Sequence, residues 1–131
     1  MFRRSTLIIG TAFALTSAAV YAHHSFAMFD NQKEMTLDGE VKDFQWTNPH
    51  IWIQVNVKDQ EGKVSEWSIE GGSPNGLKRD GWTKKSIAAG DKINVTIHPL
   101  KDGSLGGSFM RAVVNGKQLG RTVRPPAEEA K

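Results

Sequence analysis

Strict alternation of β-branched and polar residues over residues 51–58 constrains the fold more than any other feature of the chain. The odd positions are Ile51, Ile53, Val55 and Val57, and the even positions are Trp, Gln, Asn and Lys. Successive side chains of a β-strand point to opposite faces of the sheet, so a period of two indicates a strand with one buried face. We therefore predict a strand here, with its odd positions facing the core.

Similar short alternating segments, separated by turn residues, recur from residue 35 onward. They predict further strands over residues 36–46, 64–70, 91–100 and 108–114, and a short final segment near Leu119. Gly39 predicts a bulge or tight bend in the first strand, and Asn115–Gly116 is a strong hairpin signal. Five or six antiparallel strands predict an all-β fold. We expect a small, partly closed, OB-like barrel, and the alternative is a compact β-sandwich.

One short helix is predicted over residues 83–89, with Gly90 at its C-terminal end. The preceding residues 71–80 are rich in Gly, Pro and Asn and are predicted to form a loop. Trp67 and Trp82 are predicted to lie in the core. A local basic cluster surrounds Trp82 and consists of Lys78, Arg79, Lys84 and Lys85. We interpret this cluster as a solvated helix face, with an anion or polymer site as the alternative.

The first 22 residues have the three parts of a secretory signal peptide. Arg3 and Arg4 form a positive beginning, residues 7–20 are uncharged and largely apolar, and Ala22 is a small residue before a predicted cleavage site. The apolar run is shorter than the roughly 20 residues that a membrane-spanning helix needs. We therefore predict export, cleavage after Ala22, and no stable membrane insertion of the processed chain.

The predicted domain organisation follows from this cleavage. Residues 1–22 are the signal peptide, 23–34 a polar N-terminal arm, 35–120 a single β-domain, and 121–131 a disordered tail. The processed chain would have 109 residues with 15 basic and 14 acidic side chains, enough for one small domain. Because this charge balance supports no nucleic-acid or membrane argument, nucleic acid is excluded as a partner in this prediction. The chain has no cysteine, which excludes disulfides and thiolate metal sites.

Cleavage after Ala22 would make His23 the first residue and create a nitrogen chelate. The free α-amine and the imidazole Nδ1 of His23 can close a ring on one metal ion, and His24 is a possible extra ligand. Strand parity places His50 and His98 at strand ends, facing away from the core. Either one can supply the third nitrogen of the arrangement called a histidine brace. The purely structural alternatives are that His50 is a turn residue and that His98 is a half-exposed strand histidine.

Three nitrogen donors favour copper as the metal. Cu(II) prefers tetragonal nitrogen and oxygen coordination and has the highest affinity of the divalent first-row metals, whereas zinc, the alternative, usually prefers a closed tetrahedral shell. The α-amine has an ordinary pKa of about 7.7–8.0 and must lose its proton to bind, so affinity is expected to fall with pH. Met28 or Met35 can assist with Cu(I), although packing is the more common use of methionine.

The outer face of the predicted strand over residues 51–58 suggests a second functional class. Trp52 shares the parity of His50 and can be exposed or form a pocket wall near Asn48, although burial under the helix or the N-terminal arm is the simpler explanation. Glu66 and Glu70 are predicted on a solvent face. A metal-free binding module would use this face and the loop over residues 71–82 for a small ligand or an envelope protein partner. No substrate platform is evident, so we favour carriage or buffering of copper over enzyme catalysis.

Several short motifs occur together in the sequence. They are HHSF at residues 23–26, WTNPH at residues 46–50, SPN at residues 73–75 and GW at residues 81–82. The combination resembles a family of small exported bacterial proteins described as a domain of unknown function, over nearly all of residues 22–120. The resemblance implies a bacterial source and a periplasmic or secreted location. It implies no activity, so the functional expectations rest on the residues themselves.

Overall fold

The computed structural model describes residues 26–120, in which six strands form a sheet that closes on itself. The strands are β1 (Met35–Gln45), β2 (Trp52–Lys58), β3 (Val64–Glu70), β4 (Lys92–Pro99), β5 (Gly106–Val114) and β6 (Lys117–Gly120). Their order is β3-β2-β1-β4-β5-β6, and β3 also pairs with β5. All pairings are antiparallel except that of β3 with β5, which is parallel.

The β3–β5 pairing closes β1 to β5 into a five-stranded barrel, and β6 adds an edge strand beside β5. This architecture confirms the small OB-like all-β fold, and the alternative sandwich does not form. The predicted signal peptide, His23, His24 and the predicted tail over residues 121–131 lie outside the described residues.

The inward positions predicted from strand alternation fill the interior of the barrel. Ile51, Ile53, Val55, Val95 and Ile97 have no exposed surface, and Ile93 is also buried. Removing each such side chain from water contributes roughly 1.5–3 kcal/mol, so β2 with the residue before it and β4 together supply much of the hydrophobic stabilisation. Trp82 is a core residue as predicted, and Trp67 packs against the same core while partly exposed.

Strand β1 is long enough to pair with β4 along its first half and with β2 along its second half. The irregularity in its pairing with β2 lies between Val41 and Asp43, beyond the bulge position expected at Gly39. Gly39 instead permits a close approach of two strands. A Cβ at this position would overlap the backbone carbonyl of Asn56 on β2.

The helix lies in the segment that was predicted to be a loop. Helix α1 spans Pro74–Arg79, and Ser73 is its N-cap, with Oγ accepting a hydrogen bond from the Gly76 N–H at 3.2 Å. Pro74 stands at the first helical turn, where its fixed φ is favourable and a missing N–H costs nothing. No helix among residues 26–120 is long and apolar enough to cross a membrane.

The predicted helix over residues 83–89 is wrong, because this segment consists of turns and bends. Thr83 Oγ1 accepts from the Lys85 N–H at 3.1 Å, and Ser86 Oγ accepts from the Thr83 N–H at 2.9 Å. Hydroxyl side chains that bond to nearby backbone groups compete with helical hydrogen bonds. These local bonds explain why the turn forms here.

The described part of the N-terminal arm runs beside the end of β4. It begins with a 3-10 turn over Phe26–Met28, and buried Phe29 then forms an isolated antiparallel bridge with Leu100. The Asp30 N–H donates to the Pro99 carbonyl at 2.8 Å. These contacts fix the arm against the end of the barrel that carries His98.

Candidate functional site

A line of outward-facing residues crosses four strands at one end of the barrel. Trp52 on β2 is paired with Glu70 on β3, Glu70 with Ser108 on β5, and Ser108 with His98 on β4. Directly paired residues project to the same side of a sheet, so these four side chains share the outer face. We call these four residues the outer row.

His50 lies just before β2 and contacts the outer row through Glu70. Its Nδ1 donates a hydrogen bond to Oε1 of Glu70. The side chain of Glu70 is only 7% exposed and that of His50 is 28% exposed. The Thr47 hydroxyl donates to the backbone carbonyl of His50 at 3.2 Å, which ties the preceding turn to this residue.

The prediction that Glu70 lies on a solvent face is wrong. Its strand parity is outward as expected, but β5 pairs along one side of β3, and His50 contacts the carboxylate from the segment just before β2. Glu66 on the same strand behaves as predicted, since it is exposed and forms an ion pair with Lys42 at 2.6 Å. The outward position of Glu70 is thus covered by the closure of the barrel.

His98 is held by the N-terminal arm. Its Nδ1 lies 2.7 Å from the backbone carbonyl oxygen of Lys33, and a carbonyl can only accept a hydrogen bond. The proton must therefore be on Nδ1. His98 is partly exposed at the end of β4, as strand parity predicted.

Both internal histidines consequently have the proton on Nδ1 and, when neutral, the lone pair on Nε2. A metal-binding histidine usually donates its other ring N–H to a carboxylate or a carbonyl, which fixes the ring and raises its basicity. His50 has the carboxylate of Glu70 in this role, and His98 has the carbonyl of Lys33. Each Nε2 is therefore chemically suited to bind a metal ion.

The described residues do not form a complete metal site by themselves. Within residues 26–120, no three histidine or carboxylate groups are placed so that they could hold a metal ion. His50 and His98 are connected across the barrel end through Glu70 and Ser108, but their own side chains bond to different partners. A metal centre at this end would need donors from outside the described part of the chain.

Trp52 and Asn48, the two predicted ligand-face residues, lie on either side of His50 in the sequence. Trp52 is half-buried in the outer row, and Asn48 is exposed in the turn before His50. Sequence reasoning missed Glu70 and Ser108 as members of this site. No local pattern identifies them, because they become neighbours only through the long-range pairing of β3 with β5.

The sequence model of a family of unknown function, DUF6152, matches residues 12–109 of the chain. The chain belongs to DUF6152. This finding confirms the resemblance to a family of unknown function that the short motifs indicated. No curated protein matches this DUF6152 chain.

Two solved structures similar to this DUF6152 protein are crystal structures of Rim1, a mitochondrial single-stranded DNA-binding protein from S. cerevisiae, both in the form named Form2. The first is 12% identical, has a TM-score of 0.47, and the match covers 63% of this chain and 94% of that one. The second, labelled with selenomethionine, is 12% identical with a TM-score of 0.43 and coverages of 63% and 92%. At this identity the likeness concerns the fold and assigns no ligand to the DUF6152 chain.

The prediction that excluded nucleic acid as a partner is wrong, because its ground does not support an exclusion; the similar structures are of a single-stranded DNA-binding protein, which by itself assigns no ligand here. That exclusion rested on the nearly balanced charge of residues 23–131. Net charge is a sum over the whole chain and does not describe the charge of any one face. It therefore gives no ground for excluding this class of partner.

Proposed function

We propose that the processed protein binds copper in the bacterial periplasm, for carriage or buffering. The donors would be the α-amine and Nδ1 of His23 together with Nε2 of His50 or His98, and His24 would be an additional ligand. The supporting observation is that both internal histidines are anchored at Nδ1, by Glu70 and by the Lys33 carbonyl. This anchoring orients Nε2 as the metal-binding nitrogen of each ring.

The short arm supports the participation of the chain start. His23 is three residues before Phe26, and an extended chain spans at most about 3.6 Å per residue, so its amine lies within about 11 Å of Phe26. The arm that follows is fixed to the end of β4, where the Met28 carbonyl accepts from the Lys101 N–H at 3.0 Å. This anchoring of the described arm beside the end of β4 supports a role for the chain start at the barrel end that carries His98.

The donor set favours copper over zinc. An amine and two imidazoles give three nitrogen ligands, which suit the tetragonal geometry of Cu(II). The chain has no cysteine and so lacks the thiolates that many tetrahedral zinc sites use. Zinc binding of equal strength would point to a general imidazole site and would contradict the preference for copper.

Single substitutions identify the internal ligand. The processed chain and its His50→Ala and His98→Ala variants are titrated with Cu(II), and binding is followed by calorimetry and electron paramagnetic resonance. We expect one of the two variants to bind copper at least tenfold more weakly, roughly 1.4 kcal/mol or more, and to lose one nitrogen coupling. The other variant is the matched control. If both retain the affinity and spectrum of the parent protein, no internal histidine is a ligand and the proposal fails.

A further inference from the structure

A second concave site lies between the end of β1, the helix α1 and the turn that follows it. It is an open cleft of about 670 Å³. Its lining residues are Trp46, Lys78, Gly81, Trp82, Thr83 and Lys84. It shares no residue with the outer row, and its volume falls within the roughly 300–1,000 Å³ typical of small-molecule sites.

The end of α1 explains how two lining residues come to face one cleft. The Gly81 N–H donates to the Lys78 carbonyl at 3.1 Å, and the Trp82 N–H donates to the Leu77 carbonyl at 2.9 Å. This pair of bonds is the Schellman arrangement, which requires a left-handed residue after the helix, and Gly81 has a φ of 87°. The chain therefore turns back at Gly81 and brings Trp82 beside the last turn of α1.

Two indole rings form the apolar part of the cleft, and each has an edge-on aromatic contact. The ring of Trp82 lies 5.3 Å from that of Phe109, at an interplanar angle of 89°. The ring of Trp46 lies 6.0 Å from that of Phe44, at 68°. Edge-to-face contacts of this kind restrict ring orientation. The indoles are thus positioned before any ligand arrives. Trp82 is only 4% exposed and forms part of the floor of the cleft, whereas the half-buried Trp46 offers indole surface to a planar group.

Positive charge borders these rings. Lys78 in the last turn of α1 and Lys84 in the following turn are both exposed, and neither forms an ion pair within residues 26–120. The six lining residues include no carboxylate. A ligand that combines a planar ring with a negative charge would complement both parts of the cleft.

We propose that this cleft binds a small planar organic anion, with its ring against Trp46 at the floor formed in part by Trp82, and its acidic group between Lys78 and Lys84. The acidic group can be a carboxylate, sulfonate or phosphate, since each is an anion that an ammonium group binds. This ligand site is independent of copper, because none of its residues belongs to the proposed metal centre.

Three small probes separate the contributions of ring and charge. Indole-3-acetate carries both, indole-3-acetamide keeps the ring without the charge, and acetate keeps the charge without the ring. Each is titrated into the metal-free protein while the indole N–H signals are followed by NMR. We expect indole-3-acetate to shift Trp46 and Trp82 saturably, to leave Trp67 unchanged, and to bind about tenfold more tightly than either comparison probe.

Charge reversal tests the two lysines without disturbing the core. The double variant Lys78→Glu/Lys84→Glu should bind indole-3-acetate at least tenfold more weakly. Its matched control is Lys63→Glu/Lys101→Glu, which reverses two exposed lysines outside the cleft lining and should bind like the parent. The inference is overturned if indole-3-acetate does not bind at about 10 mM, if the amide or acetate binds equally well, or if both double variants behave alike.

Discussion

Loss of the His50 side chain should destabilise the barrel because it removes a donor from a carboxylate that water barely reaches. Glu70 is 7% exposed and accepts a hydrogen bond from His50 Nδ1. Breaking a fully buried ion pair costs about 3–5 kcal/mol, and an unsatisfied buried polar group costs about 1–3 kcal/mol. Because His50 itself is 28% exposed and water can enter when it is removed, we expect His50→Ala to cost about 2 kcal/mol.

A double-mutant cycle separates the pair from simple loss of packing. Glu70→Gln keeps the shape of the side chain and still offers an acceptor, so it should cost about 1 kcal/mol. In the double variant His50→Ala/Glu70→Gln, the group left without its donor is a neutral amide. The combined cost should therefore be about 2 kcal/mol, below the sum of the single costs, which corresponds to a coupling of about 1 kcal/mol.

Urea unfolding followed by tryptophan fluorescence measures these differences in the free energy of unfolding. For a domain of this size, 2 kcal/mol should lower the midpoint by about 1 M urea without changing the slope. His98→Ala is the matched control, because its Nδ1 bonds to a neutral carbonyl in an exposed setting and its loss should cost about 0.5–1 kcal/mol. Equal costs for the two histidine variants, or strict additivity in the cycle, would refute the assigned role of the buried carboxylate.

Three further predictions concern the fold and its surface charges. Gly39→Ala should lower the free energy of unfolding by about 2 kcal/mol or more, because the new methyl group overlaps the Asn56 carbonyl. Ser73→Ala should cost about 1 kcal/mol by removing the N-cap of α1, measured by the same urea unfolding. The hydrogen bond from Lys92 and its positive charge lower the pKa of Glu40, so Lys92→Met should raise the pKa of this carboxyl toward its ordinary value in an NMR titration. In the parent protein, the stabilisation from this pair is present above the unfolded-state pKa of Glu40 and is lost as pH falls through the lower folded-state pKa.

Each of these predictions has a matched control in the chain. A methyl group at Gly72 would meet only ordinary contacts, so Gly72→Ala should leave stability nearly unchanged, and an equal effect at both glycines would contradict the overlap. Asn75→Ala lies in the same helix as the cap but is not the capping residue, and it should cost less than Ser73→Ala. Lys101→Met removes a charge elsewhere and should leave the pKa of Glu40 where it is in the parent protein.

Local pattern was sufficient to predict the inward faces and most strands of the barrel. The alternation around Ile53 and Val95 predicts which side chains are buried, because successive residues of a strand face the core and the outside in turn. The hairpin at Asn115–Gly116 was equally readable, and both residues have the positive φ that its turn requires.

The helix was predicted in the wrong segment because the loop-like composition of residues 71–80 was given more weight than the helix-start signal within it. The composition of residues 71–80 suggested a loop, yet Ser73 followed by Pro74 is a typical helix start. Ile87 packs into the core from a turn, so its burial does not require a helix.

The outer row could not be predicted from the pattern of neighbouring residues in the sequence. Glu70 and Ser108 are far apart in the sequence and become neighbours only when β3 and β5 close the barrel. Parity placed His50 and His98 on the outer face, but the acceptors that fix their tautomers come from β3 and from the arm. Neither acceptor has a sequence signal of its own, since one is a strand glutamate and the other is a backbone carbonyl.

The most direct test of the proposed copper function is a Cu(II) titration of the protein that begins at His23, followed by electron paramagnetic resonance. A parallel sample carries one additional alanine before His23, which moves the α-amine without changing any internal residue. We predict stoichiometric binding with a nitrogen-rich axial spectrum in the first sample, and a lost or altered spectrum in the second. Weak binding that is the same in both samples would contradict a site built on the processed N-terminus.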